Sequence, residues 1–139
     1  MSSHYRMALA GLVGVAIGAA GMDILHAQTA AAPAYLVANI QSVKDQANYD
    51  KYRAAVVGTQ TPYGARFLAR GAKAVALDNS PLPQGTVSII SYPSMKSLRD
   101  WWNSAGYSAI RPLRENATVS TVYAVEGLPP SLRVTSSAV

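Results

Sequence analysis

Three segments of this chain are apolar at both odd and even positions, and this limits its possible folds more than any other feature. Residues 34–40 (AYLVANI), 86–92 (TVSIISY) and 118–125 (TVSTVYAV) are rich in β-branched and aromatic residues and read as strands. A strand with one wet face alternates apolar with polar. Here one parity carries Val37, Ile89 and Val122, and the other Leu36, Ile90 and Tyr123. Both faces of the resulting sheet therefore need burial.

The segments between these strands complete the pattern. Ser42 and Asp45 supply helix-start signals, and Tyr49, Tyr52 and Val56 fall at spacings of three and four, one helical face. Pro62 and Gly64 close that helix. Residues 65–70 (ARFLAR) read as a second strand, and Gly71 turns the chain into 72–77 (AKAVAL), a strand continuation or hairpin partner. Residues 78–85 form a loop by composition. Ser94 is placed to cap a second helix, with Met95, Leu98, Trp101 and Trp102 as its buried stripe. The run Asn103–Gly106 interrupts it, and Tyr107, Ile110 and Leu113 make a further turn or two with Pro112 in the first turn. The order is α+β, a ferredoxin-like βαββαβ with a four-stranded antiparallel sheet. Its two helices cover one face of the sheet. A second copy packed on the other face, a homodimer through the sheet, completes the burial.

The chain has 139 residues, half of them hydrophobic and 14% charged, enough for one packed domain. It has no cysteine, which excludes disulfides, thiolate nucleophiles and Cys-ligated metal centres. His4 and His26 are its two histidines. Both lie in a segment that reads as an address: a polar start with Arg6, an apolar uncharged stretch at 7–22, and a small-residue exit. Leu25-His26-Ala27 permits cleavage after Ala27, and Ala30-Ala31-Ala32 offers a second site. The apolar stretch falls short of the roughly 20 residues that span a bilayer, which favours a signal peptide over 1–27. Gly11, Gly14, Gly18 and Gly21 resemble the packing face of an uncleaved membrane anchor, the alternative. Either outcome places the domain in the periplasm or outside the cell. Cleavage leaves eleven basic and six acidic residues and no imidazole. Catalysis by histidine and a His-ligated metal or haem are then excluded. Residues 28–33 read as a flexible linker, 34–127 as the domain, and 128–139 as a disordered tail.

Residues 34–127 resemble the family catalogued as domain of unknown function 1330, of the dimeric α/β-barrel group. The likeness rests on Ala34-Tyr35-Leu36-Val37-Ala38, Tyr49 and Tyr52, and the run from Tyr63 to Gly71 (YGARFLARG). It continues through Tyr92-Pro93-Ser94-Met95, Trp101-Trp102-Asn103-Ser104 with Tyr107, Pro112-Leu113-Arg114 and Glu126-Gly127. It implies a ferredoxin-like protomer pairing through its sheets into a barrel. It implies no reaction, since the family has none assigned. Related barrels include cofactor-free monooxygenases and haem enzymes, an analogy of fold. Gly64-Ala65 replaces the usual Gly-Gly, and Gly106 stands where relatives often carry an acid, so no carboxylate role transfers there.

The candidate ligand-binding residues are Arg66, Arg70, Trp102, Tyr107 and Arg111. Arg66 and Arg70 share a parity on one strand, and two guanidinium groups converging on a pocket would bind a carboxylate or phosphate. A solvated edge, or an ion pair with Asp78 or Glu126, is the ordinary alternative. Neighbouring Trp101 and Trp102 lie about 100° apart on a helix, so one packs on the sheet and the other is free to wall a cleft beside Tyr107 and Arg111. Asn39, in an apolar strand, needs partners for its amide and reads as structural. No paired carboxylates, metal motif, phosphate loop or nucleophile motif occurs. No cofactor or metal is implied, and the dispersed basic residues do not suggest nucleic acid. The expectation is an exported dimer that binds a small organic or anionic ligand. The alternative is a cofactor-independent oxidoreductase or isomerase acting on a small aromatic or keto compound.

Overall fold

A computed structural model describes residues 30–132, and the proposed signal segment 1–27 and residues 133–139 lie outside them. The chain runs β1 (Ala34–Val43), α1 (Gln46–Gln60), a 3-10 turn (Thr61–Tyr63), β2 (Arg66–Ala72), β3 (Thr86–Tyr92), α2 (Met95–Trp102), α3 (Ala105–Ala117), β4 (Thr118–Glu126) and a 3-10 turn (Pro130–Leu132). The sheet has the order β2-β3-β1-β4, with every neighbouring pair antiparallel. This is the ferredoxin-like arrangement.

The helix boundaries follow from local chemistry. Asp45 caps α1, its Oδ1 accepting from the Asn48 N–H at 3.1 Å and its Oδ2 from the Asn48 amide at 2.7 Å. Gly64 leaves the following 3-10 turn at φ +74°, a left-handed position that suits glycine. Ser94 caps α2 through the Ser97 N–H, and Ser104 caps α3 through the Tyr107 N–H. The interruption at Asn103-Ser104 is thus a new cap that starts a separate helix. That helix is 13 residues long, not a turn or two, and Pro112 lies in its interior. Ser108 and Pro112 both occupy exposed positions, so the carbonyl that loses its donor is left to solvent and not to the core. The Lys44 and Asp45 N–H groups both donate to the Ala117 carbonyl, tying the start of α1 to the end of α3.

The core lies between the helices and one sheet face. Leu36 and Ile90 are cross-strand partners beneath Val56, Leu98, Trp101 and Tyr107, all buried. Trp101 packs against Tyr92, Trp102 and Tyr107 with centroids 5.6, 5.9 and 4.0 Å away, and its indole N–H donates to Thr59 Oγ1. At about 25 cal/mol per Å² of apolar area, such aromatics supply much of a small core's stabilisation.

Register corrects the assignment of strand faces. Val37 pairs with Ile89 on one side and with Tyr123, not Val122, on the other. Val122 packs with the helix-side core. A shift between Ile40 and Ser42 lets β1 run on to Val43, past the expected end at Ile40. The outer face carries Tyr35, Val37, Val87 and Ile89, with Val119, Tyr123 and Val125 about half exposed. Residues 73–85 are loop, so the expected continuation of β2 through 77 stops at Ala72. Asn39 anchors that loop's end, donating to the carbonyls of Gln84 and Thr86 at 2.8 and 3.1 Å. Gly85 lies against β1 with φ +72°, where a Cβ would sit 1.9 Å from the Ile40 carbonyl oxygen.

Candidate functional site

Between α1, α3 and the inner sheet face lies a cavity of about 460 Å³, within the usual range of small-molecule sites. Its floor is Leu36, Ala38 and Ile40 of β1, Phe67 of β2, Ser88 and Ile90 of β3, and Val122 of β4. Tyr49, Tyr52, Val56 and Gln60 of α1 and Tyr107 and Arg114 of α3 close it from above. These lining residues follow helical spacing. Tyr49, Tyr52, Val56 and Gln60 make one stripe on α1, and Tyr107 and Arg114 are two turns apart on α3.

Two lining side chains are polar and buried. Gln60 is 3% exposed, and its amide N–H donates to the Tyr92 hydroxyl at 3.0 Å, while its Oε1 has no partner among the described residues. Arg114 is 6% exposed. Its Nη1 donates to Ser120 Oγ at 2.7 Å and its Nη2 lies 3.6 Å from the half-exposed Glu115 carboxylate, while its Nε is unpaired among the described residues. Most buried polar groups in native proteins are paired; these two atoms are closed off from solvent, so neither faces the open cavity.

Charge around the cavity has one sign. Arg53, Arg70 and Arg114 line it, and no aspartate or glutamate does. Burial raises the Tyr49 phenol, and the positive charges of Arg53, Arg70 and Arg114 partly offset this, so all three act on one side chain. Burial also pushes the Tyr52 and Tyr92 phenols well above their ordinary value, helped at Tyr52 by the adjacent Tyr107. Both are therefore neutral hydrogen-bonding groups near neutral pH and not bases.

Of the five residues expected to bind ligand, Arg70 and Tyr107 line the cavity. Arg66 does not, and a bulge explains why. Arg66 pairs with Ser91 and Phe67 with Ile90, but the register shifts before Ala69 pairs with Ile89. The extra residue reverses the parity, leaving Arg66 level with the outer face and bringing Arg70 to the cavity side, over the Phe67 ring at 5.0 Å. Arg70 also donates to the Arg53 carbonyl at 3.3 Å, and neither arginine pairs with Asp78 or Glu126 among the described residues. Trp102 and Arg111 form a separate cluster outside the cavity. The Arg111 guanidinium sits 5.4 Å from the Trp102 ring and 5.9 Å from the Tyr107 ring, and its Nε is 3.7 Å from Glu115. Gln60 and Arg114 were not anticipated as site residues, although helical spacing from Val56 and Tyr107 points to both. Among the described residues, no cluster of His, Asp or Glu could hold a metal, and no helix is long and apolar enough to cross a membrane.

A family model described as Domain of unknown function (DUF1330) matches residues 33–128. The structure is similar to that of RPA0582, a protein of unknown function from Rhodopseudomonas palustris, with a TM-score of 0.56 and 15% identity over 81% of this chain and 95% of that one. It is also similar to SnoaB, a cofactor-independent oxygenase from Streptomyces nogalater, with a TM-score of 0.50 and 13% identity over 68% of this chain and 92% of that one. At such identities the likeness is one of fold. No curated protein sequence matches the chain significantly.

Proposed function

Because the chain belongs to the family Domain of unknown function (DUF1330) and keeps a cavity within its ferredoxin-like core, we propose that it is an exported, homodimeric binder of a small organic molecule. One observation carries the binding: a cavity of about 460 Å³ with an apolar and aromatic wall, lined by Arg53, Arg70 and Arg114 and by no aspartate or glutamate.

Dimerisation rests on the outer sheet face. Val37, Ile89, Tyr123 and Val125 form an apolar stripe on the side opposite the helices, and a second copy is the economical cover for it. Export rests on residues 1–27. The oxygenase reading has the SnoaB likeness of fold in its favour. Against it, burial raises the cavity phenols Tyr49 and Tyr52, which keeps them protonated and favours no base there.

A native mass spectrum of the protein recovered from an exporting host tests all three parts. The expected species is a dimer of protomers shortened at Ala27 or Ala32, carrying one small molecule per protomer. A bare monomer of full length would overturn the reading.

A further inference from the structure

Resting on the reading that the cavity holds an organic molecule, we propose that its ligand is an organic anion that enters tail first, its charge held at the mouth by Arg53 and Arg70 and its apolar part inside.

Topology gives the cavity a direction. Among its exposed lining residues are Ser42 and Val43 at the end of β1, Arg53 on α1, Arg70 and Gly71 at the end of β2, and Gly85 just before β3. Both β1 and β2 run antiparallel to β3, so these positions gather at one end of the sheet and form a mouth. Leu36, Val56, Ile90 and Tyr107, all buried, line the cavity toward the other end. A molecule with one polar and one apolar end therefore fits in one orientation, apolar end first.

The mouth is positive and unneutralised. Arg53 and Arg70 are exposed, so their guanidinium groups are open to a ligand. Each sits by an aromatic ring of the lining, Arg53 at 5.9 Å from the Tyr49 centroid and Arg70 at 5.0 Å from that of Phe67. Neither forms an ion pair among the described residues. Arg70 donates one N–H to the Arg53 carbonyl at 3.3 Å, which ties β2 to α1 at the mouth. A guanidinium has five N–H donors, so most of its capacity is left for an anion. Arg114, buried below, adds a third positive charge, and each of the three arginines acts on the Tyr49 phenol more strongly than Asp50 does. Asp50 is itself engaged by the Gln46 amide at 2.8 Å. Anionic oxygens meet such guanidinium groups with charge-assisted hydrogen bonds.

The interior asks for the opposite chemistry. Leu36, Phe67 and Ile90 below and Tyr52 and Val56 above are apolar or aromatic. A small inorganic anion leaves this stretch unfilled, and a cationic ligand is repelled at the mouth.

Titration calorimetry on the purified protein with phenylbutanoate, phenylbutanol, phenylbutylammonium and acetate tests this. The first three share a tail and differ in charge, and acetate keeps the charge without the tail. Phenylbutanoate is expected to bind about fivefold or more tightly than the alcohol, the upper range for one exposed ion pair, and more tightly still than the ammonium. This gap is expected to narrow as salt is added. Acetate is expected to bind far more weakly than phenylbutanoate. Replacing both arginines, Arg53→Gln with Arg70→Gln, is expected to cut the gap between acid and alcohol to under about twofold. N-phenylbutanoylglycine, which lengthens the charged end alone, is expected to bind about as well as its parent, because the added atoms lie outside the mouth. Equal binding of acid, alcohol and ammonium, or a gap that survives the double variant, would overturn the charge at the mouth. Acetate binding as tightly as phenylbutanoate would overturn the tail, and loss of binding by the glycine conjugate would overturn the orientation. The cavity reading stands in each of these cases. If neither the acid nor the alcohol binds, the cavity reading falls and this proposal with it.

Discussion

Replacing Arg114 with methionine separates a residue kept for binding from one kept for folding. The guanidinium is 6% exposed and carries an unmet Nε–H, and removing it relieves a burial cost of about 1–3 kcal/mol. The same substitution loses the 2.7 Å bond to Ser120, a charge-assisted contact contributing about 1.5–3 kcal/mol. Ser120 is half-buried and regains water. The Glu115 contact at 3.6 Å joins a half-exposed carboxylate and adds roughly 0–1 kcal/mol. Methionine fills much of the vacated space with apolar atoms. These contributions nearly cancel, and Arg114→Met is expected within about 1.5 kcal/mol of the wild type, while ligand binding in the cavity that Arg114 lines is weakened. Urea unfolding followed by tryptophan fluorescence measures this, with an unchanged m-value certifying the comparison. A loss of about 3–5 kcal/mol, the cost of breaking a buried pair that the fold depends on, would refute the reasoning. Arg114 would then be a structural element with its charge already satisfied.

Trp101→Ala is expected to cost about 3–5 kcal/mol, because the ring is 1% exposed and touches Tyr92, Trp102 and Tyr107; equilibrium unfolding that shows under 1 kcal/mol would contradict that packing. Gly85→Ala is expected to destabilise by more than Gly71→Ala, since a Cβ at Gly85 meets the Ile40 carbonyl and one at Gly71 meets nothing within 4 Å, though both have positive φ; equal thermal shifts would count against the close approach. Alkaline unfolding reads the buried phenols. Tyr52 and Tyr92 are raised in the folded state, so the unfolded chain releases their protons first. Their stabilisation is full below about pH 10 and is lost above it, at up to about 1.4 kcal/mol per pH unit for each phenol. A stability that is flat from pH 9 to about 12 would show that these phenols ionise normally.

Much of this architecture was legible in the sequence because it follows from local rules. Asp45 and Ser94 announce helix starts by type and position, and the four strands announce themselves by composition. Asn39 needed partners and found them in the loop that its own strand restrains. The site was less legible, because it depends on offsets that composition does not show. One extra residue in β2 separates Arg66 from Arg70, and no residue in ARFLARGA marks where it falls. The faces of β4 depend on pairing register, and a step of one residue exchanges Val122 and Tyr123. Trp102 and Arg111 drew notice as an aromatic and a cation close together, but they satisfy each other outside the cavity. Gln60 drew none, and Arg114 only as part of the family likeness, because a polar residue on a buried helix stripe looks like an ordinary surface residue until the partner helix is in place. Their spacing from Val56 and Tyr107 was the available signal.

The most direct test of a ligand-binding cavity is a crystal structure of the dimer purified from its host with nothing added, at a resolution that shows ordered water. The expected result is a small molecule between α1, α3 and the sheet, seated on Leu36, Phe67 and Ile90 among the lining arginines Arg53, Arg70 and Arg114. A cavity closed by its own side chains, or holding water alone, would contradict it.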